Sequence, residues 1–184
     1  VMGSRADTEV LIHGYEEWGE ELLQKLRGMF AFVIWDKKNK SIFGARDFFG
    51  IKPFYYTIAN GNLIYASEIK AILAHPDVRK EVNPIALENY LTFQYSVLEE
   101  TFFKGIFKLM PAHCFTFKDG KMDIKRYWEP VFEADRSKSL EEYVDEIDAA
   151  MQDSIKAHKI ADVEVGSFLS SGVDSSYVAA CFHG

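Results

Sequence analysis

The run VEVGSFLSSGVDSSYVAAC, Val163 to Cys181, organises the reading of the whole chain. The apolar run Val163 to Leu169 predicts a strand that becomes buried. A tight loop of small residues follows, Ser170, Ser171, Gly172, Val173, Asp174, Ser175 and Ser176, and Tyr177 to Cys181 then opens a helix. A strand, a small-residue loop and a helix N-terminus make an anion site, because free backbone N–H groups and the helix dipole point at the loop. Serine hydroxyls add donors. The loop has no Lys of the G-x-x-x-x-G-K-S/T kind and carries Asp174 instead. A carboxylate repels phosphate unless a metal lies between them. Asp174 therefore reads either as a magnesium ligand, direct or through water, or as the N-cap of a helix starting near Ser175.

The chain has 184 residues, enough for one full domain and part of a second. A hydrophobic content of 48% says globular, and a net charge of −7 argues against a nucleic-acid surface. The longest apolar run, Met29 to Trp35, is too short to span a bilayer, and the N-terminus shows no signal peptide. Cys114 and Cys181 are far apart and form no C-x-x-C, as expected of reduced thiols in a cytoplasmic protein. The five His show no metal-ligand spacing. The start at Val1-Met2-Gly3-Ser4 and the stop at His183-Gly184 read as cut ends, so the chain is expected to be an internal piece of a longer protein.

Taken in order, Asp7 sits where an N-cap belongs, and Val10, Leu11, Gly14, Tyr15 and Trp18 make one helix face. A short helix, Glu20 to Leu26, follows. Met29 to Trp35 predicts a fully buried strand, with Ser41 to Arg46 as its antiparallel partner. Asp47 to Pro53 is a turn punctuated by Gly50 and Pro53, where Arg46 and Asp47 form an ion pair or a hydrogen-bonded turn. Phe54 to Ile58 and Leu63 to Ala66 make a hairpin across Asn60-Gly61. Ser67 should cap a helix over Glu68 to Leu73, and Lys52 reads as a surface charge. A helix at Pro84 to Tyr95 precedes short strands at Ile106 to Met110, His113 to Phe117 and Met122 to Tyr127. A polar linker ends at Lys138. Ser139 and Glu142 form a capping box, after which Leu140, Tyr143, Val144, Ile147, Met151 and Ile155 line one helix face. The resulting organisation is a first domain over 1–132, a linker over 133–138 and the start of a second domain over 139–184.

The loop resembles the S-G-G-x-D-S loop of the ATP pyrophosphatases, and its flanks resemble the glutamine-hydrolysing asparagine synthetases within that group. Ser171 stands where that family has the first Gly, a harmless change if Ser171 keeps a negative φ. Four upstream strings resemble the C-terminal half of the class II glutamine amidotransferase domain. They are DTEV from Asp7, GMFAFVIWD from Gly28, ARDFFGIKPFYY from Ala45 and ASEIKAIL from Ala66. Their order matches asparagine synthetase, and the resemblance covers essentially the whole chain.

The resemblance implies an α+β fold. An N-terminal-nucleophile-type αββα sandwich, of which this is the C-terminal part, precedes the start of an α/β adenine-nucleotide α-hydrolase-like domain. It also implies an N-terminal Cys nucleophile that these residues do not include, so the piece alone is expected to be inactive. Asp7 would bind the α-ammonium of glutamine, although helix capping explains it equally well. Leu169, Ser170, Ser171, Gly172, Asp174, Ser175 and Ser176 would hold ATP and its pyrophosphate with Mg²⁺, Leu169 lying beside the nucleotide. The implied ligase amidates aspartate through an aspartyl-AMP, using ammonia from glutamine. Its small molecules are glutamine, aspartate and ATP, with no nucleic acid or membrane, and a homodimer is among its open assemblies. Two rivals stay open: amidation of another carboxylate (a sugar acid, a peptide or a β-amino acid), and a degenerate, non-catalytic module.

Overall fold

Alternating apolar residues on strand Ser41–Arg46 give the first unit its layers. The computed structural model describes residues 6–96 and 98–183. The two ends read above as cut, Val1 to Ser4 and Gly184, fall outside them. The chain divides into two units, Val1–Pro130 and Val131–Gly184.

In the first unit, strands β1 (Ala31–Asp36), β2 (Ser41–Arg46), β6 (His113–Lys118) and β7 (Lys121–Arg126) form an antiparallel sheet in the order β1-β2-β6-β7. Strands β3 (Tyr55–Ala59), β4 (Asn62–Ala66) and β5 (Phe107–Lys108) form a second antiparallel sheet in the order β4-β3-β5. Period-2 alternation sends neighbouring side chains to opposite faces of the larger sheet. Phe43, Ala45 and Cys114 pack with Leu23 and with Tyr15, Phe32 and Ile34 on one face. Phe115, with Val33, Ile42 and Phe117, meets Phe54, Tyr56 and Leu109 of the smaller sheet on the other. The helical layer on the first face is α1 (Asp7–Trp18) with a short 3-10 helix (Gly19–Gln24).

The hairpin reading holds: Ala31 pairs with Arg46 through to Asp36 with Ser41. Asn60 and Gly61 take φ of 51° and 77°, which a two-residue type I′ turn needs. Met29 to Trp35 is not fully buried. β1 is an edge strand, and an edge lacks a neighbour on one side, leaving Met29 and Trp35 exposed. The expected face of α1 is also narrower than read: Gly14 is buried, but Val10 and Trp18 are exposed. Two caps differ. Ala6 and Glu68 take the extended N-cap conformation with no side-chain cap bond, so Asp7 falls in the first turn of α1. Ser67 likewise does not cap α2 (Ile69–Leu73). α3 (Pro84–Phe93) is capped instead by Asn83, whose side chain accepts from the Ile85 and Ala86 amides.

In the second unit, α4 (Leu140–His158) begins with the expected Ser139–Glu142 capping box. Its expected apolar face is largely uncovered, with Leu140, Val144 and Ile147 exposed and Ile155 buried. The buried strand expected over 163–169 does not form, and Val163, Phe168 and Leu169 are 77%, 99% and 69% exposed. A parallel-sheet strand exists through its neighbours' hydrogen bonds, and among the described residues this unit has no other strand. α5 (Val173–His183) follows.

Candidate functional site

Two places carry the chemistry read from the sequence, one in each unit. In the first, a cleft of about 470 Å³ is lined by Asp7, Thr8, Leu11, Arg27, Phe30, Lys52 and Ser67, among others. Asp7 stands at its helical side, exposed in the first turn of α1, where a carboxylate faces the helix dipole. Lys52 and Ser67, read above as a surface charge and a cap, share the cleft with Asp7. The signal that could have found them was their place inside the two strings of the resemblance that flank β3 and β4.

Lys52 is held there by a polar knot. Asp47 is 1% exposed. Its Oδ1 accepts from the amides of Phe49 and Ile51, and its Oδ2 accepts from the amide of Lys52 at 2.9 Å. The Arg46 guanidinium donates to the carbonyls of Gly50, Lys52 and Leu109, each at 2.6 Å. Burial pushes that guanidinium below its usual pKa, and the neighbouring Asp47 carboxylate opposes the shift. Gly50 sits at φ 64°, where an added Cβ would lie 2.8 Å from Pro111. The pair is thus the hydrogen-bonded turn of the two alternatives, and it fixes both backbone polar groups of Lys52 at the cleft rim.

In the second unit, Ser170, Gly172, Ser175 and Ser176 form a self-bonded loop. The Ser170 and Ser175 hydroxyls lie 2.7 Å apart, and the Ser175 and Ser176 hydroxyls donate to the Gly172 carbonyl at 3.1 and 2.8 Å. The Ser176 amide donates to the same carbonyl at 3.2 Å. Amides 173–175 precede that bond and belong to the open first turn. Ser171 is not among the residues at positive φ, so its Cβ carries no backbone penalty. Asp174 lies within the first turn of α5 rather than before it, which removes the N-cap reading. Leu169 is exposed beside the loop.

The open amides and the hydroxyls suit phosphate oxygens, and the single carboxylate suits magnesium that arrives with them, since Mg²⁺ takes one or two protein carboxylates plus substrate phosphates. Among the described residues no group of three or more His, Cys, Asp or Glu could hold a metal unaided. No helix among them is long and apolar enough to cross a membrane. Both cysteines are free, with Cys114 buried and Cys181 half-buried on α5.

Comparison with known proteins divides the chain in the same way. The glutamine amidotransferase domain family matches residues 2–128, and the asparagine synthase family matches residues 146–183. Asparagine synthetase [glutamine-hydrolyzing] 3 of Bacillus subtilis is 41% identical over 176 residues, covering 95% of this chain and 28% of the relative. Asparagine synthetase [glutamine-hydrolyzing] 1 of the same organism is also 41% identical, over 177 residues, with the same coverage. Amidase chyE of Penicillium rubens is 34% identical over 179 residues, covering 95% of this chain and 26% of the relative. The chain spans a little over a quarter of the length of these relatives.

Proposed function

This chain belongs to the glutamine amidotransferase domain family, and on that premise we propose that it is a segment of a glutamine-hydrolysing asparagine synthetase. The observation that carries the proposal is the succession of two family matches in one chain, glutamine amidotransferase at 2–128 and asparagine synthase at 146–183. The two facing antiparallel sheets with a helical layer support an N-terminal-nucleophile-type αββα sandwich for the first unit. The division near Pro130 supports domains over 1–132 and 139–184 joined by a linker over 133–138, the second domain opening an α/β nucleotide-binding fold. A cytoplasmic location belongs to the same reading.

In this reading the full-length enzyme hydrolyses glutamine in the first domain and uses the ammonia in the second to amidate aspartate through aspartyl-AMP, releasing pyrophosphate. Asp7 holds the α-ammonium of glutamine in the cleft it shares with Lys52. The amides at the start of α5, with the Ser170, Ser171, Ser175 and Ser176 hydroxyls, hold the pyrophosphate of ATP, Leu169 flanks the nucleotide, and Asp174 takes Mg²⁺ directly or through water. The metal, when bound, supplies charge neutralisation at the leaving pyrophosphate. The hydroxyls now bonded to the Gly172 carbonyl rotate to donate to phosphate instead. The small-molecule partners are glutamine, aspartate and ATP, without nucleic acid or membrane.

The test is pyrophosphate release by the full-length protein with ATP and Mg²⁺, with and without aspartate, on glutamine or ammonia. Asp174→Ala should abolish release and spare glutaminase. Asp7→Asn should lower kcat/KM for glutamine about 10- to 100-fold, the worth of a charged hydrogen bond, and spare ammonia-dependent synthesis. Release independent of aspartate would defeat the proposal. A second reading keeps the two family matches and changes the acceptor to another carboxylate (sugar acid, peptide or β-amino acid), since relatives of this chain do not all carry the synthetase name. Asparagine among the products separates the two.

A further inference from the structure

We propose that Tyr177 is a positioning residue for the loop at 170–176, holding the first turn of α5 against α4 through its hydroxyl bond to Asp148. The inference rests on the phosphate-site reading of that loop. Val173 and Asp174 lie four and three residues before Tyr177, on the same face of α5 and one turn nearer the loop. Whatever fixes the rotation of α5 at Tyr177 therefore fixes the direction of the Asp174 carboxylate and of the open amides.

Three observations make the hydroxyl bond the deciding contact. First, apolar packing in this unit is thin: among its described residues Ile155 is the one buried apolar side chain. Second, the acceptor is itself held, because the other oxygen of Asp148 accepts from Gln152 Nε2 at 3.3 Å, from within α4. Third, the far end of α5 is tied separately, with Lys159 Nζ donating to the Phe182 carbonyl at 2.9 Å and lying 4.8 Å from the Phe182 ring centroid. With α5 tied to α4 through Tyr177 near its middle and through Phe182 in its last turn, its rotation about its own axis is opposed at two points. The bond to the carboxylate raises the Tyr177 pKa, so the hydroxyl stays a donor throughout the physiological range.

The function is geometric. Pyrophosphate held by amides and hydroxyls demands that they converge, and an error of about 1 Å in such a cradle is felt strongly in catalysis. The Tyr177 hydroxyl bonds to Asp148 on α4 and acts on the loop through the orientation of α5.

The test uses the full-length protein and the variants Tyr177→Phe, Asp148→Ala and the double change. Aspartate-dependent pyrophosphate release is measured against ATP concentration with saturating Mg²⁺, beside glutaminase activity and the melting temperature. Each single change should raise KM for ATP about 5- to 10-fold, the worth of one hydrogen bond. Glutaminase should be untouched, and the double variant no worse than either single one. An unchanged KM in Tyr177→Phe overturns the inference, as does a multiplied loss in the double variant. A lower melting temperature with KM unaltered assigns Tyr177 to packing alone and overturns it too. Asp174→Ala separates the layers. If that variant still releases pyrophosphate, the loop reading falls and takes this inference with it. If it is dead while Tyr177→Phe is normal, the positioning role alone falls.

Discussion

Replacing Asp47 by Ala should be among the most damaging single changes in the first unit, because its carboxylate serves the backbone of a turn. Its two oxygens accept three backbone amides, from Phe49 at 3.2 Å and from Ile51 and Lys52 at 2.9 Å each, at a position 1% exposed. Truncation leaves three donors without their acceptor. An unpaired buried donor costs about 1–3 kcal/mol, and water reaches part of this turn, because the Phe49 and Ile51 side chains are exposed. A net loss of about 3–5 kcal/mol follows, or a fall in Tm of roughly 6–20 °C for a chain of this size. Asp47→Asn keeps one acceptor oxygen but sets an NH₂ donor against an amide donor, so about half that loss is expected. Urea denaturation followed by tryptophan fluorescence, with calorimetry beside it, measures both. Asp7→Asn is the control: an exposed residue with no cap bond should change stability by less than about 0.5 kcal/mol. An Asp47→Ala loss below about 1 kcal/mol would show that water serves those amides as well as the carboxylate does.

Two further outcomes come from the sheet core. At Gly44 an added Cβ would lie 2.4 Å from Phe115 Cε1 and 2.5 Å from its Cζ, so Gly44→Ala should cost about 1–3 kcal/mol in thermal denaturation, and a neutral result would mean that the ring moves aside freely. Burial pushes the Cys114 thiol up to about 11 from a usual value of 9.0, with Glu20 the next cause, so it should resist alkylation at pH 8 until the protein unfolds, while half-buried Cys181 reacts first. A raised folded-state pKa adds stability that is complete below pH 9 and lost as pH rises through 11. Cys114→Ala should therefore flatten the fall in stability across that window, and an unchanged slope would count against the shift.

Local chemistry explains which elements were legible. Asn60-Gly61, the Ser139 capping box and the pairing of Ser41–Arg46 with the strand before it are each specified within a few residues, and each forms as read. The misses depend on distant partners. A composition rule marks Asp7, Ser67 and Asp174 as caps, but the cap falls to whichever residue takes the extended backbone conformation, and Ala6 and Glu68 take it for the first two helices. Val163 to Leu169 has the composition of a buried strand and none of the neighbours that make one. In the candidate sites, the loop of small residues was legible because its members are contiguous. The cleft was not, since Asp7, Lys52 and Ser67 are brought together by a turn whose stability rests on Arg46 reaching Leu109.

That reach sets a timetable. The Leu109 carbonyl lies 63 residues beyond Arg46, and β2 finds its second neighbour only when Cys114 to Phe117 arrive. A ribosome adding about 5–20 residues per second needs roughly 3–13 s to cover that interval. Throughout it the nascent β1–β2 hairpin is unpaired on both flanks, and the Arg46 guanidinium lacks one of its three carbonyls. The rim of the Asp7 cleft is thus a late product of synthesis, finished by a segment outside its lining. Slow codons or a chaperone acting between residues 46 and 109 would therefore bear on the formation of this cleft without touching its lining.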